Sequence, residues 1–124
     1  MIIATKARIG GYQFDANLSY DVTRPDVITV LFLTRTPVMW ILGRDLLADG
    51  LMNPAGEGDV RIAPSPATDE VAVEIRTRHG RAFVRLLWDP VAGFVRATYG
   101  RVPRGTEYAN VDWDQLLPAA GGGS

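Results

Sequence analysis

The sequence predicts an α+β domain of antiparallel sheets, with one short helix in the middle of the chain and a second helix near its C-terminal end. Three observations predict this class. β-type segments occur in runs separated by glycine or proline turns, rather than alternating one by one with helices. Two segments show the 3.6-residue spacing of a packed helix. Two pairs of strands are separated by two-residue turns, which connect antiparallel neighbours.

Length and composition suit a single globular domain, since the chain has 124 residues and 47% of them are hydrophobic. We assign residues 1–117 to the domain and expect 118–124, a glycine-rich end, to be a flexible tail. The formal net charge of -1 provides no overall attraction to nucleic acid or to an anionic membrane. Because cysteine is absent and no apolar run is long enough to span a bilayer, we expect a soluble cytoplasmic protein.

The first part of the chain predicts two hairpins. Strands are expected over 2–9 and 12–20, joined at Gly10-Gly11, where a tight turn needs positive backbone angles. The next two strands, 27–33 and 38–42, are apolar at almost every position. Such strands need cover on both faces. One face can pack on a helix, and the other needs a second sheet or a neighbouring subunit. The candidate subunit-interface residues are Val30, Phe32, Met39 and Trp40.

The short central helix follows the apolar strand directly. Its apolar side consists of Leu46, Leu47 and Leu51, and Asp45 lies in the first turn, where the helix dipole favours a carboxylate. Gly50 is expected to end the helix in a left-handed conformation. After it, 53–59 is predicted to be a glycine-rich loop.

The second part of the chain predicts a short strand and a further hairpin. A strand over 60–63 is expected to end at Pro64, and strands 71–78 and 81–88 flank a turn at His79-Gly80. That turn places Arg78 opposite Arg81, and by extension Glu74 opposite Arg85, Ile75 opposite Val84, and Val71 opposite Trp88. The buried face would then consist of Val71, Val73, Ile75, Val84, Leu86 and Trp88. The opposite face would carry Ala72, Glu74, Arg76, Arg78, Arg81, Phe83, Arg85 and Leu87.

A helix is predicted to begin at Asp89-Pro90 and to continue to about Tyr99, before Gly100. A last turn or two of helix is expected over 112–117, capped by Asp112. The tryptophans are interpreted as anchors of the core or of a subunit interface. They are Trp40, Trp88 and Trp113.

The residues do not match an enzyme template. His79 is expected in a solvated turn, with no carboxylate placed by the pattern to orient its ring. Gly56-Glu-Gly-Asp59 is followed by a strand rather than by a helix N-terminus that could receive a phosphate. Asp112 and Asp114 have no third ligand in sight, and capping explains them. We therefore expect no catalytic, metal or cofactor site.

One face of the predicted hairpin has an alternative interpretation as a binding surface. Arginines around an exposed ring are typical of proteins that bind single-stranded nucleic acid. The other interpretation is a solvated sheet face, with Glu74 opposite Arg85 and Arg76 stacked on Phe83, which the slightly acidic net charge favours. The candidate residues are Arg76, Arg78, Arg81, Phe83 and Arg85.

The central stretch resembles the SsgA-like proteins of actinomycetes, which are sporulation and cell-division regulators of the SsgA and SsgB type. The resemblance covers roughly residues 18–117, and Arg104 departs from it where the family usually shows a second proline. Its motifs are Leu18-Ser-Tyr-Asp21, Trp40-(x)3-Arg44-Asp-Leu-Leu-Ala-(x)-Gly-Leu51, Pro54-(x)-Gly-(x)-Gly-Asp-Val-Arg61, Phe94-Val-Arg-(x)-Thr-Tyr99 and Val102-Pro-(x)-Gly-Thr-Glu107.

The resemblance implies a non-enzymatic regulator of septum formation during sporulation. In this family, SsgB is associated with bringing the tubulin-like FtsZ to division sites in concert with SsgA. The resemblance also implies a fold similar to whirly-type single-strand-binding domains and a ring-like homotrimer. We therefore expect an adaptor that acts at division septa through contacts with FtsZ or a second SsgA-like protein. Single-stranded nucleic acid is the alternative partner, since fold analogy alone does not decide function.

Overall fold

The computed structural model describes residues 1–65 and 67–109, and every structural statement below concerns those residues. They form one antiparallel sheet, in the order β4-β3-β2-β1-β8-β7-β6-β5, and two helices. The elements are β1 (Ile2–Ile9), β2 (Tyr12–Ser19), β3 (Val27–Phe32), β4 (Val38–Gly43), α1 (Arg44–Met52), β5 (Ala55–Glu57), β6 (Val60–Ser65), β7 (Glu70–Thr77), β8 (Gly80–Leu87) and α2 (Trp88–Arg101). The α+β class is confirmed.

The sheet consists of two halves, which we call the first half (β1–β4) and the second half (β5–β8). They join where β1 pairs with β8, at Ala7 opposite Leu86 and Arg8 opposite Arg85. One side of the curled sheet, its inner face, forms the core with the two helices. Helix α1 packs mainly against β6 and also contacts α2 and β5, and α2 packs against β7 and β8. Helix α1 therefore begins at the end of the first half and rests on the second.

The first hairpin is as predicted. Gly10 and Gly11 both have positive φ, 57° and 88°, which is the geometry of the tightest hairpin turns. Strands β1 and β2 pair along their full length, from Ile2 opposite Ser19 to Ile9 opposite Tyr12.

Strands β3 and β4 are covered on one face only. The inner face carries Ile28, Val30, Phe32 and Leu42, each at most 1% exposed. On the outer face, Met39 is 60% and Ile41 48% exposed. The inner face is therefore covered within the chain, as predicted. The outer face is exposed and is not covered by the described residues.

Helix α1 does not end at Gly50 as predicted, but continues to Met52. Gly50 is buried inside the helix, where a Cβ atom would lie 2.3 Å from Ile62 Cγ2 on β6. The glycine is thus required by the close approach of α1 to β6, and not by a left-handed stop. Sequence spacing cannot distinguish these two uses of glycine.

The segment after α1 was predicted to be a loop and contains a short strand. Strand β5 (Ala55–Glu57) pairs with β6, with Gly58 at φ 59° in the turn between them. Strand β6 also continues through Pro64 to Ser65, two residues beyond the predicted end.

The β7–β8 hairpin has a different register from the predicted one. The turn residues are Arg78 and His79, so that Thr77 faces Gly80, Val73 faces Val84 and Glu74 faces Phe83. The difference is two residues in pairing, and a shift of two preserves the face of each side chain. The predicted faces are therefore correct for the residues that lie on the two strands, although the predicted pairs are wrong. Two predicted members lie off the strands, since Trp88 belongs to α2 and Arg78 to the turn.

Helix α2 begins one residue before the predicted start and ends two residues after the predicted end. Trp88, predicted to end a strand, is its first residue, and its Nε1 donates to Leu51 O at the end of α1 (2.8 Å). Gly100 is helical rather than a stop. The predicted helix over 112–117, Trp113, the tail over 118–124 and the end of the domain lie outside the described residues.

Candidate functional site

The arginine face is the outer surface of the second half. We define it as the outward side chains of β6, β7 and β8 together with Arg8 of β1. Cross-strand pairs bring its members together, with Arg76 opposite Arg81 and Ala72 opposite Arg85. The face includes the predicted residues Arg76, Arg81, Phe83 and Arg85, whereas Arg78 lies in the turn at its rim.

Two contacts organise the charges around Phe83, which is 48% exposed. Arg85 lies over the phenyl ring, with its Cζ 5.8 Å from the ring centroid. Arg81 Nη1 is 3.4 Å from Glu74 Oε1. The expected stacking of Arg76 on Phe83 and the pairing of Glu74 with Arg85 are thus wrong, because the register differs by two residues from the predicted one.

Sequence reasoning missed Arg8 and Glu70, which join the two halves on the outer surface. Arg8 Nε and Nη2 donate to the two carboxylate oxygens of Glu70 at 2.8 and 2.6 Å. The hydrogen bonds from Arg8 hold the pKa of Glu70 below its usual range, although burial opposes the shift. The residues are 62 positions apart, so no local signal could have paired them.

A shallow concavity of about 320 Å³ opens on the arginine face. Its lining includes three residues with little or no side chain, Gly56, Ala63 and Ala72. Arg61, Glu74 and Phe83 also line it. Its volume is large enough to receive one apolar side chain beside Phe83.

The second outer surface is the apolar edge, which we define as the outward side chains Leu31, Met39 and Ile41 of β3 and β4. Strand β4 is at one end of the sheet order, and Met39 faces Leu31 across the pair. A concavity of about 400 Å³ lies beside Met39. Exposed apolar side chains on an edge strand are typical of surfaces that pair with another chain.

The structure places two of the four candidate interface residues away from this edge. Val30 is 0% and Phe32 1% exposed in the core, because alternate residues of β3 point inward. They are therefore not available to a neighbouring subunit. Trp40 is half-buried on the same inner side and meets Phe32 edge to face, with ring centroids 5.0 Å apart. Met39 alone of the four lies on the open outer face.

Arg44, the first residue of α1, is 0% exposed and connects the start of α1 to α2 and to the segment after it inside the molecule. Its Nη1 donates to Thr98 O (3.2 Å) and Val102 O (2.7 Å), and its Nη2 donates to Glu107 Oε1 (2.9 Å). Its guanidinium lies 4.1 Å from the ring centroid of Tyr99. A backbone hydrogen bond and the bond from Arg44 lower the pKa of Glu107.

A second cluster of charged and polar side chains lies at the surface, next to the buried Arg44. Tyr99 donates its hydroxyl to Asp45 Oδ1 at 2.5 Å, and burial followed by this bond raises the pKa of Tyr99. Arg104 lies 3.2 Å from Asp45 and 3.0 Å from Asp49. Asp45, interpreted from the sequence as a partner of the helix dipole alone, therefore also ties α1 to α2 and to the segment after it.

Within the described ranges, no group of three histidine or acidic side chains is arranged to hold a metal ion. His79 lies in the exposed turn between β7 and β8. No helix among these residues is both long and apolar enough to cross a bilayer.

The fold and its outer surfaces define a small α+β domain, in which one buried core supports two exposed faces of contrasting chemistry. A family model described as "Streptomyces sporulation and cell division protein, SsgA" matches residues 14–107. The chain belongs to this SsgA family.

Relatives and solved structures agree with this membership. SsgB of Streptomyces coelicolor is 36% identical over 106 residues, covering 82% of this chain and 77% of the relative. SsgB of Saccharopolyspora erythraea is 39% identical over 108 residues, covering 82% and 77%. Both are described as sporulation-specific cell division proteins.

Two solved structures superpose closely on the fold. One comes from work on SsgB mutations that correlate with longitudinal cell division during sporulation of Streptomyces coelicolor. It has a TM-score of 0.81 and 30% identity, covering 87% of this chain and 92% of that one. The other, an SsgA-like sporulation-specific cell division protein from Thermobifida fusca, has a TM-score of 0.81 and 29% identity, covering 97% and 94%.

These findings confirm the family resemblance and a role in sporulation cell division. The family consists of cell-division regulatory proteins and not of enzymes. Similarity to whirly-type domains stays a prediction.

Proposed function

We propose that this protein is an adaptor in sporulation-associated septum formation, which recruits or positions FtsZ through protein contacts as a homo-oligomer, with a trimer expected. It works in the cytoplasm at division septa, with FtsZ or a second SsgA-like protein as its direct partner. Family membership supports the process, and the open apolar edge supports the mode of action.

The apolar edge is the observation that carries the proposal. The inner face of the same strands is already covered, with Ile28 and Val30 each 0% and Leu42 1% exposed. Met39 and Ile41 therefore contribute little to the core, and their exposure costs solubility without stabilising the fold. A contact with a second copy of the chain would remove this surface from water.

The adaptor role is tested by pelleting the purified protein with assembled FtsZ, and the oligomer by light scattering at micromolar concentration. We expect co-sedimentation with FtsZ polymers and a mass of three chains. No enrichment in the pellet contradicts the adaptor role, and a monomeric mass contradicts the oligomer.

Single-stranded nucleic acid is the second candidate partner, with Arg76, Arg78, Arg81, Phe83 and Arg85 as its contacts. The observation that favours it is the exposed Phe83 ring with Arg85 above it, because cationic and aromatic groups together can stack a base. A mobility-shift titration with single-stranded DNA tests it. Binding that weakens steeply with salt supports this candidate, and unchanged mobility contradicts it.

A further inference from the structure

The charge of the arginine face differs in sign from that of the whole chain. The face carries five arginines, at positions 8, 61, 76, 81 and 85, and two glutamates, Glu70 and Glu74. This is a formal surplus of three positive charges on a chain whose net charge is -1. The partner that complements this face is acidic.

Both glutamates are already paired within the face. Glu70 accepts two hydrogen bonds from Arg8, and Glu74 lies 3.4 Å from Arg81. Arg61, Arg76 and Arg85 make no ion pair within 4.0 Å of a described carboxylate, and all three are exposed. Arg85 lies over the Phe83 ring, and its charge also acts on Glu70 from a greater distance. These three guanidinium groups are available to carboxylates of a partner.

The shape of the face points to a polypeptide rather than to a nucleic acid. Single-strand binders stack successive bases on several rings, whereas Phe83 is the one aromatic side chain among the described residues of this face. Beside it, the concavity of about 320 Å³ is lined by Phe83 and by the small residues Gly56, Ala63 and Ala72, which leave room for a single side chain. An aromatic ring and an arginine around such a pocket form the usual centre of a protein interface.

We infer that the arginine face binds an extended acidic segment of a partner protein. One apolar side chain of that segment occupies the concavity beside Phe83, and flanking carboxylates pair with Arg61, Arg76 and Arg85. This inference rests on the proposed function, because it assigns a contact surface to an adaptor that works through protein contacts. The apolar edge remains free on the first half for a second copy of the chain.

The test is a fluorescence-anisotropy titration of the whole protein with a labelled peptide of ~8 residues, in which aspartates flank a central leucine, a length that covers the three strands. We expect saturable binding that weakens with salt. A peptide with serine in place of the leucine should bind about tenfold more weakly, since it lacks the side chain for the concavity.

Variants locate the binding on the arginine face. The double variant Arg61→Glu/Arg85→Glu and the single variant Phe83→Ser should each bind the leucine peptide at least about tenfold more weakly. Arg96→Glu is the matched control, because Arg96 is exposed on α2, on the other side of the sheet, and should leave binding unchanged. If the double variant fails to fold, Arg61→Gln/Arg85→Gln removes the charges and keeps polar side chains.

Three results overturn the inference: no saturation by about 1 mM peptide, which is the limit of weak specific binding, equal loss in Arg96→Glu, or a thymidine oligonucleotide of equal charge binding more tightly than the peptide. The last result would assign the face to nucleic acid.

FtsZ pelleting of the same proteins separates this inference from the proposed function. Peptide binding without co-pelleting contradicts the adaptor role alone, and co-pelleting without peptide binding contradicts the acidic-segment site alone.

Discussion

The two halves of the sheet have the same construction and opposite outer surfaces. Each consists of four antiparallel strands, and each turns its alternate apolar side chains towards one shared core. Outside, the first half presents the apolar edge around Met39, and the second presents the arginine face around Phe83. The inner residues of both halves must be apolar because they pack in the core. The two halves therefore differ mainly in their outward residues, which core packing does not constrain.

Two contacts between distant parts of the chain also differ in burial. Inside, Arg44 is 0% exposed and connects the start of α1 to the end of α2 and Glu107. Outside, Arg8 of the first half pairs with Glu70 of the second, with the arginine side chain 45% and the glutamate side chain 7% exposed. A fully buried pair is costly to break because the remaining groups lose water as well as their partner, whereas in a half-exposed pair solvent can replace part of the lost interaction.

Removing the inner contact should give the largest effect. Arg44→Met leaves Glu107 and the carbonyl of Val102 without their donor, and we expect a loss of about 3 kcal/mol in the free energy of unfolding. Urea denaturation measures it. Arg104→Met, which removes only pairs between exposed groups, is the control and should cost less than about 1 kcal/mol. Equal losses would contradict the ranking of the two kinds of pair.

The contact between α1 and the second half should give the next largest effect. Gly50→Ala introduces a Cβ atom 2.3 Å from Ile62, which forces the helix from β6 and should cost about 1–3 kcal/mol. At Gly93 in α2 nothing lies within 4 Å of the added atom, so Gly93→Ala should stabilise by about 0.5–1 kcal/mol through helix propensity. Thermal melting of both variants checks the opposite signs. A stabilised Gly50→Ala variant would show that α1 can move away from β6 at little cost in free energy.

The Arg8–Glu70 contact should make the unfolding free energy depend on pH in the acid range. The folded-state pKa of Glu70 is lowered, so its contribution to stability is present above its ordinary value of 4.5 and is lost as the pH falls through the folded-state pKa. Glu70→Gln should therefore flatten the acid limb of a plot of unfolding free energy against pH. Glu57→Gln, at an exposed residue without an ion pair in the described part of the chain, is the control and should follow the unmodified protein. Superimposable acid limbs for all three would rule out this contribution.

The smallest effect on stability is expected at the apolar edge. Met39→Ser/Ile41→Ser changes side chains that are 60% and 48% exposed, so the unfolding free energy of the monomer should move by less than about 0.5 kcal/mol. The mass measured by light scattering should nevertheless fall to that of one chain. Met52→Ser, at 68% exposure on α1, should leave the mass unchanged. A normal oligomer in the double variant would remove the apolar edge from the interface.

Most of the elements could be predicted from local patterns. The Gly10-Gly11 turn and the inward and outward faces of the β7 and β8 residues depend on spacing within a few residues, and both are confirmed. The register of the β7–β8 hairpin was wrong because a two-residue shift leaves the hydrophobic pattern unchanged. The same two-residue shift keeps the arginines on the outer face, so the residues of this face were predicted correctly and only their cross-strand partners differ.

The sequence by itself determined the class of fold, the family and the side chains that cluster on the outer surface of the second half, because these follow from periodicity and short motifs. Only the tertiary structure decided which apolar residues are exposed to solvent, why residue 50 must be glycine and which groups Arg44 hydrogen-bonds. Arg44 and Glu107 are 63 positions apart, and Arg8 and Glu70 are 62 apart. Such contacts depend on how the sheet curls and how α1 crosses between its halves, which no local pattern encodes.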